Sequence, residues 1–198
     1  MLKPDDIPAF VFDKPPLFNE LRFLGAALAA SGALAMFHVI GITPEAKTFK
    51  QAFGDSLPED RLVVSRKELE DAKQNFFEEF NDADAVFIGC PHASMDEIND
   101  IAKMLSNKKV REGVKFWIFT SRLVLSKIRN THVYETLIKA GVRIYTDTCM
   151  VVSPIEDLGI TRVLTNSSKA AWYIPKFSSG KIKINVKSIK EIIELVSN

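Results

Sequence analysis

Five short apolar runs, AVFIG (85–89), KFWIFTS (115–121), VRIYTDT (142–148), TRVLTN (161–166) and KIKINV (181–186), alternate with stretches of helical character. That alternation limits the possible folds more than any other feature of the chain. A short run with few polar interruptions suits a strand buried on both faces. Strands separated by helices pair in parallel, because a parallel neighbour needs a crossover of a dozen or more residues. The expected fold class is therefore α/β, a three-layer arrangement with a parallel or mixed sheet covered by helices. Local signals mark the helices. In SMDEINDIAKML (94–105), Ser94 and Glu97 have capping-box spacing. Helical character from Arg122 to about Ala140 stops at Gly141, a short helix starts near Ser167, and SIKEIIELV closes the chain.

The first third reads differently. KPDDIPAFVFDKPPLF carries four prolines in 16 residues, so residues 1–18 are expected to form an irregular arm. The α/β region is expected over 19–198, with room for two sub-domains. Alanine- and leucine-rich sequence from Asn19 to Ala33 favours a helix. ALAMFHVIG reads as a strand and glycine turn, followed by a helix capped by Thr43 with Pro44 at its first position. RLVVS (61–65) reads as a strand and 66–80 as a helix with a solvated, charge-rich face.

Composition removes several functions. Lysine and arginine number 26 against 25 acidic residues, so a broad nucleic-acid footprint is not expected. The longest apolar stretch, Leu24 to Ile40, is broken by Ser31, Gly32 and His38, and no membrane span is expected. MLKPDDIPAF has no apolar signal core, which points to the cytoplasm. Two cysteines do not make a disulfide framework. Neither a G-x-G-x-x-G fingerprint nor a P-loop follows any expected strand.

In open α/β sheets, ligands gather beyond the carboxyl ends of the strands. His38 and Gly41 follow the first expected strand, and Cys90, His92 and Ser94 follow AVFIG. Thr120, Ser121 and Arg122 come next, then Asp147, Thr148 and Cys149, then Thr165, Asn166, Ser167, Ser168 and Lys169. Both cysteines thus fall at one edge. Each residue also has an ordinary explanation. A cysteine at a strand end is commonly a small core residue, a histidine after an apolar run is commonly a hydrogen-bonded core group, and Ser, Thr and Asn serve turns and caps. Arg122 and Lys169 could form plain ion pairs. The 58 residues between Cys90 and Cys149 exclude a short zinc-knuckle spacing, so the thiols meet only if the fold brings two strand ends together. Thiolates beside Ser, Thr and basic groups suit an iron–sulfur cluster, yet such clusters take three or four cysteines. Either another segment completes the set or these thiols hold no cluster.

The segments LGAALAASGALAMFHVIGITPEA, GCPHASMDEI, TSR, DTCMVVSPIEDLG and TNSSKAAWYIPKFSSGK resemble the C-terminal half of the large, catalytic subunit of the aconitase X family. The likeness runs from about Leu17 to Val196. It implies an aconitase-like catalytic domain and a hydro-lyase activity. The substrate implied first is phosphomevalonate, giving trans-anhydromevalonate phosphate in a modified mevalonate pathway, with cis-3-hydroxy-L-proline as the alternative. It also implies a 4Fe-4S cluster ligated by Cys90, Cys149 and a third cysteine from an N-terminal half outside this chain, and a small swivel subunit as partner. The chain alone is then expected to be inactive. Arg122 and Lys169 are expected to clamp the carboxylate or phosphate of a small-molecule substrate, helped by Ser121, Asn166, Ser167, Ser168 and Thr148, and His92 is expected to orient substrate or a cluster ligand. The competing expectation is a non-catalytic α/β module that binds a small anion or a partner while its thiols stay free. Under either reading, the apolar LGAALAASGALAMF segment is expected to be covered by self-association or by a partner chain.

Overall fold

The computed structural model describes residues 2–56, 58 and 60–198. They form two units, the first ending at Lys73 and the second starting at Gln74.

The first unit holds two short parallel strands, β1 (Ala9–Phe10) and β2 (His38–Val39), and the helices α1 (Phe18–Gly32) and α2 (Phe49–Phe53). Helix α1 follows the expected span closely, but none of its residues is buried. The strand is shorter than expected, and no helix starts at Thr43. The Thr43 hydroxyl accepts from the Val39 amide and donates to the Val39 carbonyl, so it is tied to β2 instead of capping amides ahead of it. The helix begins at Thr48, whose capping box with Gln51 satisfies the first free amides. RLVVS is not a strand. Leu62, Val63 and Val64 are exposed, and among the described residues no ladder includes them; an apolar run without a partner has no backbone bonds to make. Helix α3 (Arg66–Phe76) ends four residues before the expected limit.

The second unit is built on five parallel strands. They are β3 (Ala85–Ile88), β4 (Lys115–Thr120), β5 (Val142–Thr146), β6 (Arg162–Thr165) and β7 (Lys183–Val186), in spatial order β5-β4-β3-β6-β7. The helices are α4 (Met95–Met104), α5 (Arg122–Ile128), α6 (His132–Lys139), α7 (Ser168–Phe177) and α8 (Ile189–Val196). Side chains alternate across the sheet with the period of two that strands impose. Val86, Ile88, Phe116, Ile118 and Leu164 pack with Ile98, Ile101, Leu137, Ile192 and Ile193 of α4, α6 and α8. Ala85, Phe87, Trp117, Phe119 and Val163 face the other way, toward Ala170 and Ile174 of α7 and toward Met150, Ile155 and Ile160. This is a three-layer α/β fold with unequal covers: one face carries several helices, the other α7 and the long segment after β5. On that second face Phe87, Trp117, Phe119 and Tyr145 form a run of aromatic contacts with ring centroids 5.1 to 6.4 Å apart. Such pairs contribute about 0.5–1.5 kcal/mol each beyond their burial.

The chain winds outward from β3 to β5, then returns to β6 on the other side of β3. Such a reversal opens a crevice beyond the carboxyl ends of the two central strands, here β3 and β6.

Candidate functional site

Residues that follow β3, β5 and β6 converge at this crevice. Strand β3 runs into Gly89, whose φ of 110° is open only to glycine and whose added Cβ would lie 2.0 Å from the Phe119 carbonyl oxygen. That close approach lets the chain turn over the end of β4. Cys90 follows, nearly buried at 3% exposure, with a cis bond to Pro91. The Ala93 amide donates to the Phe119 carbonyl at 2.9 Å, and the buried Thr120 hydroxyl donates to the Ala93 carbonyl at 2.7 Å. Ser94 then caps α4 with Glu97, as its spacing predicts.

On the β5 side, Asp147 adopts a left-handed φ of 54° and its amide donates to the Thr120 carbonyl. Cys149 is half-buried. Its sulfur accepts from the Val151 amide at 3.4 Å, and its carbonyl accepts from the Ser153 hydroxyl at 2.9 Å. The His92 ring reaches across, with Nε2 2.9 Å from the Thr148 carbonyl oxygen. On the β6 side, the fully buried Ser167 donates from Oγ to the Cys90 carbonyl and accepts from the Ala170 amide at 3.0 Å, capping α7. Ser168 is exposed and Lys169 half-buried at the start of that helix. The Asn166 Oδ1 is buried without a hydrogen-bond partner, a group of the kind that usually answers to something not present in the protein itself.

The two thiols behave as one acid. A hydrogen bond from the Cys90 thiol stabilises the Cys149 thiolate and brings its pKa down to about 6, against the opposing effect of burial; the Val151 amide, Lys169 and His92 add to the lowering. Cys90 is pushed well above the ordinary thiol range by the same bond and by burial, with Ser167 and Lys169 opposing. The bond between them therefore places the acidity on Cys149 and not on Cys90. Metal binding needs that acidity, because the ligand is the thiolate.

Arg122 lies farther out. Ser121 caps α5 through the Val124 amide, and the Arg122 side chain, 84% exposed, pairs with Asp147. That hydrogen bond, together with one from the Arg122 amide, holds the Asp147 carboxyl below its usual range. A cavity of about 250 Å³ opens beside the Cys149 segment, lined by residues from Met150 to Glu156 with Ile174, Phe177 and Ser178. Its lining has no thiol and no cation. Among the described residues no group of three or more His, Cys, Asp or Glu side chains converges to hold a metal ion. Gly89 and Thr120 shape the site as much as the expected ligands do. A glycine between an apolar run and Cys-Pro-His is the signal for the first; Thr120 was marked by its place at the end of an expected strand.

A three-layer α/β domain that gathers two cysteines at its strand-order reversal belongs to the class of open-sheet folds whose ligands bind beyond the strand ends. Residues 1–74 match the second domain of aconitase X and residues 83–197 its third domain. The chain belongs to the aconitase X family. It is 38% identical over 179 residues to the phosphomevalonate dehydratase large subunit of Methanocaldococcus jannaschii, covering 89% of this chain and 43% of that one. It is 36% identical over 169 residues to the cis-3-hydroxy-L-proline dehydratase of Pseudomonas aeruginosa, covering 82% of this chain and 28% of the relative. The crystal structure of Thermococcus kodakaraensis aconitase X in its holo-form superposes with a TM-score of 0.85 at 31% identity, over 98% of this chain and 48% of that one. The chain thus spans less than half the length of these relatives. No helix among the described residues is long and apolar enough to cross a membrane.

Proposed function

We propose that this chain supplies two of the three cysteine ligands, and part of the substrate site, of a cytoplasmic iron–sulfur hydro-lyase that dehydrates a small hydroxy acid. The observation that carries the reading is the convergence of Cys90 and Cys149, beside Lys169, at the crevice of an aconitase X domain. The donor set fits a cluster with soft thiolate ligands and a site-differentiated iron, provided a third cysteine comes from elsewhere in the assembly. The chemistry such a cluster supplies when bound is Lewis acidity toward a hydroxyl leaving group.

The chain's own residues do the rest. Lys169 presents a point charge where an anionic substrate would enter, next to the amino end of α7, whose exposed amides and dipole favour negative charge. Ser168 and the Asn166 amide offer hydrogen bonds at the same end, and the Ser167 hydroxyl keeps the Cys90 peptide in place. Thr148, Ser121 and Arg122 border the β5 side; a second anionic group would compete with Asp147 for the Arg122 fork.

Phosphomevalonate is the favoured substrate, because relatives named as its dehydratase large subunit are 34% to 38% identical in four archaea. The product would be trans-anhydromevalonate phosphate, placing the enzyme in a modified mevalonate pathway. Its partners are then a polypeptide carrying the family's first domain and a small swivel subunit.

The test is anaerobic co-expression of the chain with a first-domain segment and a small subunit from the Methanocaldococcus enzyme. Iron, sulfide and phosphomevalonate turnover are then assayed. Expected are a coloured complex, product formation, and loss of iron in Cys90→Ser and Cys149→Ser. An iron-loaded complex that dehydrates cis-3-hydroxy-L-proline instead would move the substrate assignment. A complex that stays iron-free would refute the reading.

A further inference from the structure

The two cysteines sit at the ends of strands that are not neighbours, since β4 lies between β3 and β5. Two strand spacings amount to about 10 Å. Sulfurs that bind one soft ion stand much closer, about 4 Å apart for metal–sulfur bonds of about 2.3 Å. The sheet by itself keeps the thiols apart, and the loops must close the distance.

Apart from the Ser167 bond to the Cys90 carbonyl and the bond between the thiols themselves, the loop bonds identified at this edge are of three kinds. The Ala93 amide and the Thr120 hydroxyl tie the Cys90 loop to β4, and the Asp147 amide ties the other loop to β4. The Val151 and Ser153 bonds to Cys149 stiffen its turn but stay within that turn. The bond from His92 to Thr148 is different in kind, because it joins one cysteine loop directly to the other. It ends on the carbonyl immediately before Cys149. A carbonyl only accepts, so His92 Nε2 carries the proton and donates it.

We propose that His92 is the positioning residue of the thiol pair: its Nε2–H bond to the Thr148 carbonyl draws the Cys149 turn over the end of β4 and holds the two sulfurs beside each other. The inference deepens the metal-binding part of the proposed function and rests on Cys90 and Cys149 acting together. It needs neither the cluster nor turnover. His92 is thereby given a structural task in the site instead of a contact with substrate.

Phenylarsine oxide tests this on the chain alone, because trivalent arsenic binds two adjacent thiols far more tightly than one. The reduced wild-type chain is expected to capture one equivalent and lose both thiols to titration. His92→Leu, which keeps bulk and removes the donor, is expected to bind about tenfold more weakly, the loss of one hydrogen bond. His92→Gln keeps an N–H donor and is expected to retain most of the affinity. Circular dichroism and melting curves confirm that the compared variants are folded. Should His92→Leu not fold, His92→Asn, polar but too short to reach Thr148, is read in its place.

Capture by the donor-less variant as tight as wild type would overturn the proposal, as would equal weakening in the Leu and Gln variants. A wild-type chain that keeps both thiols would overturn it too, by showing the sulfurs apart. Normal arsenical capture in a chain that never assembles a cluster would count against the hydro-lyase reading alone and leave the role of His92 standing.

Discussion

Replacing Gly89 by alanine should damage the protein more than any other single methyl group added to a glycine in its second unit. The φ of 110° costs an L-residue about 1–2 kcal/mol on its own. The new Cβ would then lie 2.0 Å from the Phe119 oxygen, 2.9 Å from its carbonyl carbon and 3.0 Å from its nitrogen. Relief requires β3 and β4 to part by more than about 1 Å at their carboxyl ends, and overpacking on that scale typically adds about 1–3 kcal/mol. The sum is about 2–5 kcal/mol. For a unit of about 125 residues with an unfolding entropy of about 2.1 cal/mol/K per residue, 4 kcal/mol lowers Tm by roughly 15 °C. Gly159→Ala is the control. Its φ is 68° and nothing lies within 4 Å of the added carbon, so only the backbone cost of about 1–2 kcal/mol remains. The assay is urea denaturation of both variants, with phenylarsine oxide capture as the readout of the site. If Gly89→Ala loses no more stability than Gly159→Ala, the close approach of Gly89 to β4 is not what the fold depends on, and the reasoning fails.

Ser167→Ala removes a helix cap and the hydroxyl held by the Cys90 carbonyl; a loss of about 1–3 kcal/mol in chemical denaturation is expected, with weaker dithiol capture. Asp84 accepts from the Thr161 amide and hydroxyl and the Arg162 amide; partial burial raises its pKa, but these bonds outweigh it and leave the carboxyl below its ordinary value. A depressed carboxyl contributes stability above its unfolded pKa and loses it as pH falls through the folded value. The advantage of wild type over Asp84→Asn should therefore be full near neutrality and shrink below about pH 4; a gap that persists unchanged at lower pH would contradict it. Arg122→Ala should leave the melting temperature unchanged, given a side chain 84% exposed, and raise KM in the assembled enzyme if the guanidinium grips substrate. Unchanged KM would remove it from the site.

The order of the five strands and their helices was readable because each buried run combined apolar residues with a glycine, serine or threonine at its boundary. Ser94, Ser121, Ser167 and Ser188 all cap helices through the third amide beyond them. The first unit was less legible for the same physical reason in reverse. RLVVS has strand composition but finds no partner strand, and Thr43 has cap chemistry that a neighbouring backbone claims first. That Cys90, Cys149 and Lys169 fall at one edge of the sheet was legible from the strand ends. What the sequence could not carry was spatial order. Nothing in GCPH or DTCM says that a strand lies between them, so the crossing over β4 and the linking function of His92 needed the structure.

The thin cover over the aromatic face has an optical consequence. Trp117 lies at 9% exposure in the same cluster as Cys90, Met150, Ile155 and Ile160, with Cys149 packed at its edge. Part of what shields this indole is thus the segment that carries the second sulfur. An ordered segment keeps the indole in an apolar setting, and a loosened one admits water to it. The emission maximum of Trp117 is a built-in gauge of whether the sulfur-bearing segment is seated, readable without colour, iron or substrate once Trp172 is replaced by phenylalanine.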